Sequence, residues 1–405
     1  MIYRPASSFY SNSIRLLSAN VFSQLLTLLI FVLLARLYSV EDLGRFSFFL
    51  QLAALLTLLA NGRYELVILL GKTRREATTA FQLCCMINIA VRVLILSPFL
   101  FFEHIRLLPL YIFVSALSAS CSYWFNFNSR LSLIARYGIV QSLSANSLKA
   151  LLGYIHPCVN GLLWADIIGY LVGIGSCITQ KRLYSGIYYI HWREIWEMAY
   201  RFRHFPYFML PLSLVNALSV SLPILVLAGY FSMEKIGFLS MALTLGVAPV
   251  KLWASSLEQV ISGELTSYIK QKLSVSSLFR NLLSKIFRWL LPAIIFAFFL
   301  IPPAVKLFLG DDWEESAGYM QLLLPVLMAW FLSLSFISVP NLLGKQRMAL
   351  ILELLFIICR TIALMVGVGF HDFYLSVALY SAIYVVTVVI QFFWYARVLS
   401  VISYG

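Results

Sequence analysis

Apolar residues fill almost the whole chain in stretches of about twenty, each ended by a short polar break. A helix needs about twenty mostly apolar residues to cross the hydrocarbon of a bilayer. Read in windows of that length, the pattern predicts twelve membrane-spanning helices, over 13–37, 44–70, 78–101, 107–127, 132–155, 157–179, 206–229, 236–263, 286–309, 318–339, 348–369 and 374–395. The fifth is rich in Ser and Asn, and the eighth carries Lys251 and Glu258. The polar start, with Arg4 and Arg15, runs into a long apolar segment without a small-residue cleavage site, so the first segment reads as a retained span rather than a signal peptide.

Composition agrees with this reading. Of the 405 residues 61% are hydrophobic and 12% charged, against roughly 25% charged in a soluble domain. The net charge of +13 suggests nucleic acid only until the charges are placed. With the N-terminus inside, every inside segment is positive (Arg4 to Arg15, Lys72 to Glu76, Arg130 to Arg136, Lys181 to Arg203, Glu264 to Arg288, Lys345 to Arg347, and Arg397) and no outside loop is. That alternation obeys the positive-inside rule and supports twelve spans with both ends cytoplasmic. Cys84, Cys85, Cys121, Cys158, Cys177 and Cys359 all fall in apolar stretches without metal-ligand spacing and read as small packing residues. No cofactor and no metal site is expected.

The extracytoplasmic loops are short. The longest connection, 180–204, is cytoplasmic and central, and its stretch YYIHWREIWEMAYRFRHF mixes aromatic and charged residues. It reads either as an amphipathic helix on the membrane surface or as a polar linker with anchoring aromatics. The expected organisation is therefore a six-helix lobe over 1–180, a linker over 181–205 and a second six-helix lobe over 206–405. A shift of 193 residues places Ala35-x3-Ser39-x-Glu41-x-Leu43-Gly44-x2-Ser47 on Ala228-x3-Ser232-x-Glu234-x-Ile236-Gly237-x2-Ser240, and Glu65 on Glu258. Both copies start inside, so the repeats are parallel and predict two lobes related by a pseudo-two-fold along the membrane normal. A cleft between such lobes would work by alternating access.

Three segments carry a family resemblance. ARLYSVEDLGRFSFF from Ala35, Asn61-Gly62-Arg63-Tyr64-Glu65 followed by LVILL, and Phe308-Leu309-Gly310 with Trp313 and Ala317 resemble elements of bacterial O-antigen and polysaccharide-lipid flippases (Wzx-type), the polysaccharide transporter family of the multidrug/oligosaccharidyl-lipid/polysaccharide superfamily. The major facilitator signature is absent from the loop over 71–76. The resemblance implies an inner-membrane flippase that moves undecaprenyl-diphosphate-linked O-antigen or a related repeat unit from the cytoplasmic to the periplasmic leaflet. It also implies membrane lipids and polysaccharide polymerase and chain-length machinery as partners, with no nucleic acid. A drug or cation exporter of the same superfamily is the alternative. A peptidoglycan-precursor flippase usually has more than twelve spans, which counts against that reading. An enzyme is not expected: no outside loop is large enough to fold, and there is no nucleophile elbow, H-E-x-x-H or aspartate-rich motif. His104 and His371 are single loop histidines.

Charge at membrane depth is costly and marks function or pairing. Arg63, Glu65, Arg92, Lys149, Asp166, Lys251, Glu258, Glu353 and Arg360 lie within the spans. Several share helical faces with polar residues: Asn20 and Gln24 with Thr27, Asn88 with Cys85 and Arg92, Asn146 with Ser142 and Lys149, and Lys251 with Ser255 and Glu258. A diphosphate would be met by Arg63, Arg92, Lys251 and Arg360, with Lys149, because Arg forks onto phosphate oxygens and Lys serves as a point charge. Asn20, Gln24, Asn88 and Asn146 would bond sugar hydroxyls. Glu65, Asp166, Glu258 and Glu353 would couple or gate. Against these roles, Lys149 and Arg92 would simply snorkel, Arg63 and Glu65 would pair locally or with Glu258 and Lys251, Asp166 has no evident partner, and seven residues is long for a direct Glu353–Arg360 contact.

Overall fold

The computed structural model describes residues 26, 29–93, 106–128, 131–178, 191–271 and 275–402, and every regular element among them is helical. This is what a bilayer demands of an open chain, since only a helix satisfies its backbone internally in hydrocarbon. Nine helices among the described residues are long and apolar enough to cross a membrane, so this is a multi-pass membrane protein. The first predicted span lies mostly outside the described residues, together with Asn20, Gln24 and Thr27; its end appears as α1 over 29–37. The third and fifth appear as α4 (Arg74–Val91) and α6 (Leu131–Ile155), helical but not among the nine apolar ones.

The chain divides into two compact units, Met1–Ser221 and Leu222–Gly405. In the first, α2 (Val40–Asn61), α5 (Leu108–Phe127) and α7 (Val159–Ile178) pack on one another, and α4 lies against α5. α6 and α7 form a hairpin in contact along much of its length. Gly169 makes that approach possible: a Cβ there would fall 2.6 Å from the Ala145 Cβ, the small-residue packing that membrane helices favour. The core of this unit gathers Phe81, Trp124, Phe125 and Tyr137 with Ile195 and Met198. The last two belong to α8 (Trp192–Arg201), so the described part of the central connection is a helix whose other stripe, Trp192, Trp196 and Tyr200, is exposed. Residues 181–190 of that linker lie outside the described residues.

α9 (Leu210–Leu227), which follows a π-turn over Phe205–Met209, contains the boundary between the units. The second unit comprises α10 (Met233–Lys270), α11 (Val275–Phe308), α12 (Glu314–Ser335), the single turn α13 (Val339–Leu342), α14 (Gln346–Gly369) and α15 (Phe373–Ile402). α10 packs on α12, and α15 packs on both α12 and α14. Phe279, Phe336 and Phe392 make mutual ring contacts at 5.3–5.9 Å. At 38 residues, α10 is about 57 Å long and outreaches the roughly 30 Å hydrocarbon core.

The sequence repeat has a physical counterpart at its start. The Leu43 amide donates to the Ser39 carbonyl (3.2 Å), and 193 residues on the Ile236 amide donates to the Ser232 carbonyl (3.3 Å). Both bonds open the first turn of a helix, α2 and α10. The Ser39 hydroxyl also accepts from the Asp42 amide, an N-cap of the usual kind. The copies then part. The second predicted span, 44–70, is not one helix: it breaks at Gly62–Tyr64 and resumes as α3 (Glu65–Leu70). The equivalent part of α10 runs on without interruption.

Candidate functional site

The break in the second span positions Arg63 and Glu65. Gly62 (φ 56°) and Arg63 (φ 63°) are both left-handed. Glycine takes that conformation freely, whereas an arginine there is strained. Short turns keep the backbone satisfied: the Gly62 amide donates to Leu59, that of Tyr64 to Asn61 and that of Val67 to Tyr64. Side chains fix the break from both sides. The Asn61 amide donates to the Ala116 carbonyl (2.9 Å) and the Tyr64 hydroxyl to that of Ala199 (3.0 Å).

Held in this way, the Arg63 guanidinium donates through Nη1 to Glu65 Oε1 (3.1 Å) and through Nε to Ser213 Oγ (2.6 Å). The local pairing of Arg63 with Glu65 is therefore the one formed, and Ser213 is a partner that no spacing along the chain points to. The Arg63 side chain is 25% exposed and that of Glu65 5%. Glu65 Oε2 is buried without a hydrogen-bond partner among the described residues, an unusual state for a carboxylate oxygen.

A second pair lies across α6 and α7. Lys149 Nζ stands 2.7 Å from Asp166 Oδ1, both largely buried, with the Phe46 ring 4.9 Å from the ammonium. This overturns two expectations. Asp166 has a partner, and Lys149 does not snorkel to a helix end, because the close α6–α7 hairpin sets them opposite each other. Arg92 lies over the Phe113 ring (5.0 Å), and the Asn88 amide donates to the Phe113 carbonyl (2.9 Å). The Asn146 amide donates to Ser142 Oγ (3.2 Å).

In the second unit Arg360 is 2% exposed. Its Nη1 donates to Glu353 Oε1 (3.0 Å), its Nη2 and Nε to Thr387 Oγ1 (2.9 and 3.2 Å), and its guanidinium sits 3.8 Å from the Tyr384 ring centroid. The seven-residue spacing thus permits direct contact, contrary to expectation. A helical side chain leans toward the N-terminus, so the long arm of Arg360 reaches back over two turns. Lys251 is exposed and Glu258 half-buried on α10, and neither forms an ion pair among the described residues.

Outside the spans, α8 is tied to the start of α4. Arg75 Nε donates to Glu194 Oε2 (3.0 Å) and Arg201 pairs with Glu76 at 3.4 Å. The Lys72 amide, and after it the Arg201 guanidinium, hold the Glu76 carboxyl below the usual carboxylate range. The Arg75 guanidinium does the same for Glu194. Among the described residues no group of three His, Cys, Asp or Glu is placed to hold a metal.

This helical arrangement has relatives among solved structures. An inward closed conformation of the lipid II flippase MurJ is 16% identical, with 94% of this chain and 87% of that one aligned at a TM-score of 0.71. An inward-facing multidrug resistance MATE family transporter of the MOP superfamily is 12% identical over 94% and 95% of the two chains, at 0.62. A MOP superfamily transporter from Pyrococcus furiosus is 14% identical over 96% and 95%, at 0.56. At these identities the likeness establishes the fold alone, which is that of the multidrug/oligosaccharidyl-lipid/polysaccharide transporters. No curated protein matches the sequence significantly. The family described as polysaccharide biosynthesis protein matches residues 33–318, and with well over half of its length so matched the chain belongs to that family.

Proposed function

We propose that the protein is a flippase that carries undecaprenyl-diphosphate-linked O-antigen or a related polysaccharide repeat unit from the cytoplasmic to the periplasmic leaflet of a bacterial inner membrane. In this reading twelve spans form two six-helix lobes, both termini are cytoplasmic, and alternating access moves the substrate without covalent change. The supporting observation is Arg63: a partly exposed guanidinium at membrane depth, on a broken helix, in a chain of the polysaccharide biosynthesis protein family. A diphosphate cannot cross hydrocarbon unaided, and a fixed fork of donors replaces its hydration. Broken membrane helices with unwound backbone are where transporters bind polar substrates.

Arg63 is assigned to the diphosphate, with Arg92 and Lys251 as further cations and Asn88 and Asn146 toward sugar hydroxyls. Asn20 and Gln24 keep the same assignment from sequence. Glu65 and Glu258 are assigned to gating. The closed networks around Lys149–Asp166 and Arg360–Glu353 hold helices together in the conformation described here, and any contact with substrate requires them to open. Polysaccharide polymerase and chain-length machinery are the proposed partners downstream.

The test is deletion and rescue in a host that displays surface polysaccharide. Accumulation of single-unit lipid intermediates and loss of long-chain polymer, both reversed by the gene, are the expected result. Normal polymer with raised sensitivity to cationic dyes would replace this reading by drug export.

A further inference from the structure

The second unit holds an apolar groove of about 740 Å3 between α10, α11 and α12. On α11 its lining runs from Leu282 to Ile301. At 1.5 Å per residue this stretch measures about 28 Å, close to the roughly 30 Å of a bilayer's hydrocarbon core. Small residues open the space: Ala293 and Ala297 line it from α11 and Gly246 from α10. A Cβ on Gly246 would lie 2.5 Å from Leu327 Cδ1, so α10 and α12 close tightly on one side while α11 stands off on the other.

The groove is not apolar throughout. Lys285 is the only charged residue lining it; it is exposed and forms no ion pair among the described residues. It lies on the second turn of the lining, at the end nearest the connection between α10 and α11. Trp253 and Trp289, 74% and 80% exposed, line the same end, as aromatics do at a membrane interface. A membrane-long apolar groove with an ammonium at one end is complementary to a lipid with an apolar tail and an anionic head.

We infer that this groove seats the polyprenyl chain of the lipid-linked substrate at first capture, with Lys285 meeting the anionic head before the diphosphate passes to Arg63. The inference rests on the flippase reading and adds to it: the lipid chain travels against the second unit instead of lying loose in the bilayer. Lys285 is then a substrate-binding residue, and Ala293 and Ala297 set the chain diameter that the groove admits.

The test uses the full chain in nanodiscs of phosphatidylethanolamine with a polyprenyl diphosphate carrying a diazirine in its tail, the cross-links mapped by peptide mass spectrometry. Cross-links on the α11 peptide around Ala293 and the α12 peptide around Leu327 are expected. Ala297→Trp should lower them about tenfold, and Lys285→Ala should weaken retention of the probe to a similar extent, with Lys285→Arg restoring it. Ile295→Trp, on an exposed position of α11 outside the lining, controls for bulk and folding and should leave the labelling unchanged. Cross-links elsewhere, or labelling that excess phosphatidylglycerol removes as readily as unlabelled polyprenyl diphosphate, overturn the groove assignment. If wild-type protein rescues surface polymer while Ala297→Trp rescues it fully with unmoved cross-links, the groove falls and the flippase reading stands. If wild-type protein neither binds the probe nor rescues polymer, both fall.

Discussion

Replacing Arg360 by methionine keeps an unbranched apolar stem and removes a charge that is almost wholly enclosed. The lost contacts include the bonds to Glu353 and Thr387 and the faces of Tyr384 and Phe356. Breaking one partner of a buried pair costs about 3–5 kcal/mol, chiefly by leaving the other charge uncompensated. Glu353 is 24% exposed, so part of its charge is screened and the lower end, about 3 kcal/mol, is expected. For a unit of this size each kcal/mol moves the midpoint by about 2–4 °C, which sets a fall of roughly 6–12 °C in apparent Tm. Thermal unfolding in detergent, followed by a thiol-reactive dye, reads this directly. Pairing the change with Glu353→Gln removes the stranded charge and should recover most of the loss. Arg360→Met with an unchanged midpoint and abolished translocation would refute the structural role and return Arg360 to the substrate.

Lys149→Met should destabilise the first unit by about 3 kcal/mol for the same reason, and Lys149→Met with Asp166→Leu should return to within about 1 kcal/mol of wild type in a double-mutant cycle. Arg63→Lys preserves the charge beside Glu65 but loses the fork, so diphosphate binding measured by calorimetry should fall about tenfold while the midpoint stays nearly constant. Gly62→Ala forces a Cβ into a left-handed backbone and should cost about 1 kcal/mol of stability. Glu76 and Glu194 titrate below their ordinary range in the folded state. The contribution of their pairs to docking α8 is thus full above the ordinary carboxylate pKa of about 4.3 and lost as pH falls through the depressed values. The Trp196 fluorescence, taken as wild type minus Trp196→Phe, should stay flat from neutral pH to that range and shift below it, and Glu194→Gln should shift it already at neutral pH.

Helix content and membrane class were legible because twenty-residue apolar runs leave hydrocarbon-spanning helices as the one workable structure. Most span boundaries fall within a few residues of the helices formed; α10, α11 and α15 overrun their predicted spans, the first two through polar turns that extend them beyond the apolar stretch. The partners of buried charges were not legible. Asp166 meets Lys149 through a hairpin whose closeness depends on Gly169 facing Ala145, a contact between helices that no spacing within one helix reveals. Thr387 and Tyr384 come to Arg360 from a different helix, and Ser213 comes to Arg63 from 150 residues along the chain. The break in the second span did leave a trace. Asn-Gly at 61–62 is a turn signal inside an apolar run, and the continuous hydropathy around it concealed that signal.

That break also distinguishes the two halves of the repeat. Residues 39–43 and 232–236 begin their helices with the same backbone bond, so the duplicated motif encodes a helix start. Twenty residues later the first copy has Asn61-Gly62-Arg63-Tyr64 where the second has Ala254-Ser255-Ser256-Leu257. The first contains the glycine that a left-handed turn favours and the second does not, and the second remains helical. Without the break, Arg63 would sit on a regular helix, two residues from Glu65 and facing a different direction, because residues two apart do not share a helical face. The left-handed pair at 62–63 brings Arg63 and Glu65 together and turns Arg63 toward Ser213. The strain at Arg63 therefore has a specific product, a guanidinium held at fixed geometry within the second predicted span. The equivalent stretch of the second unit places no such group, because Glu258, the repeat partner of Glu65, has Ser256 where the first copy has its arginine.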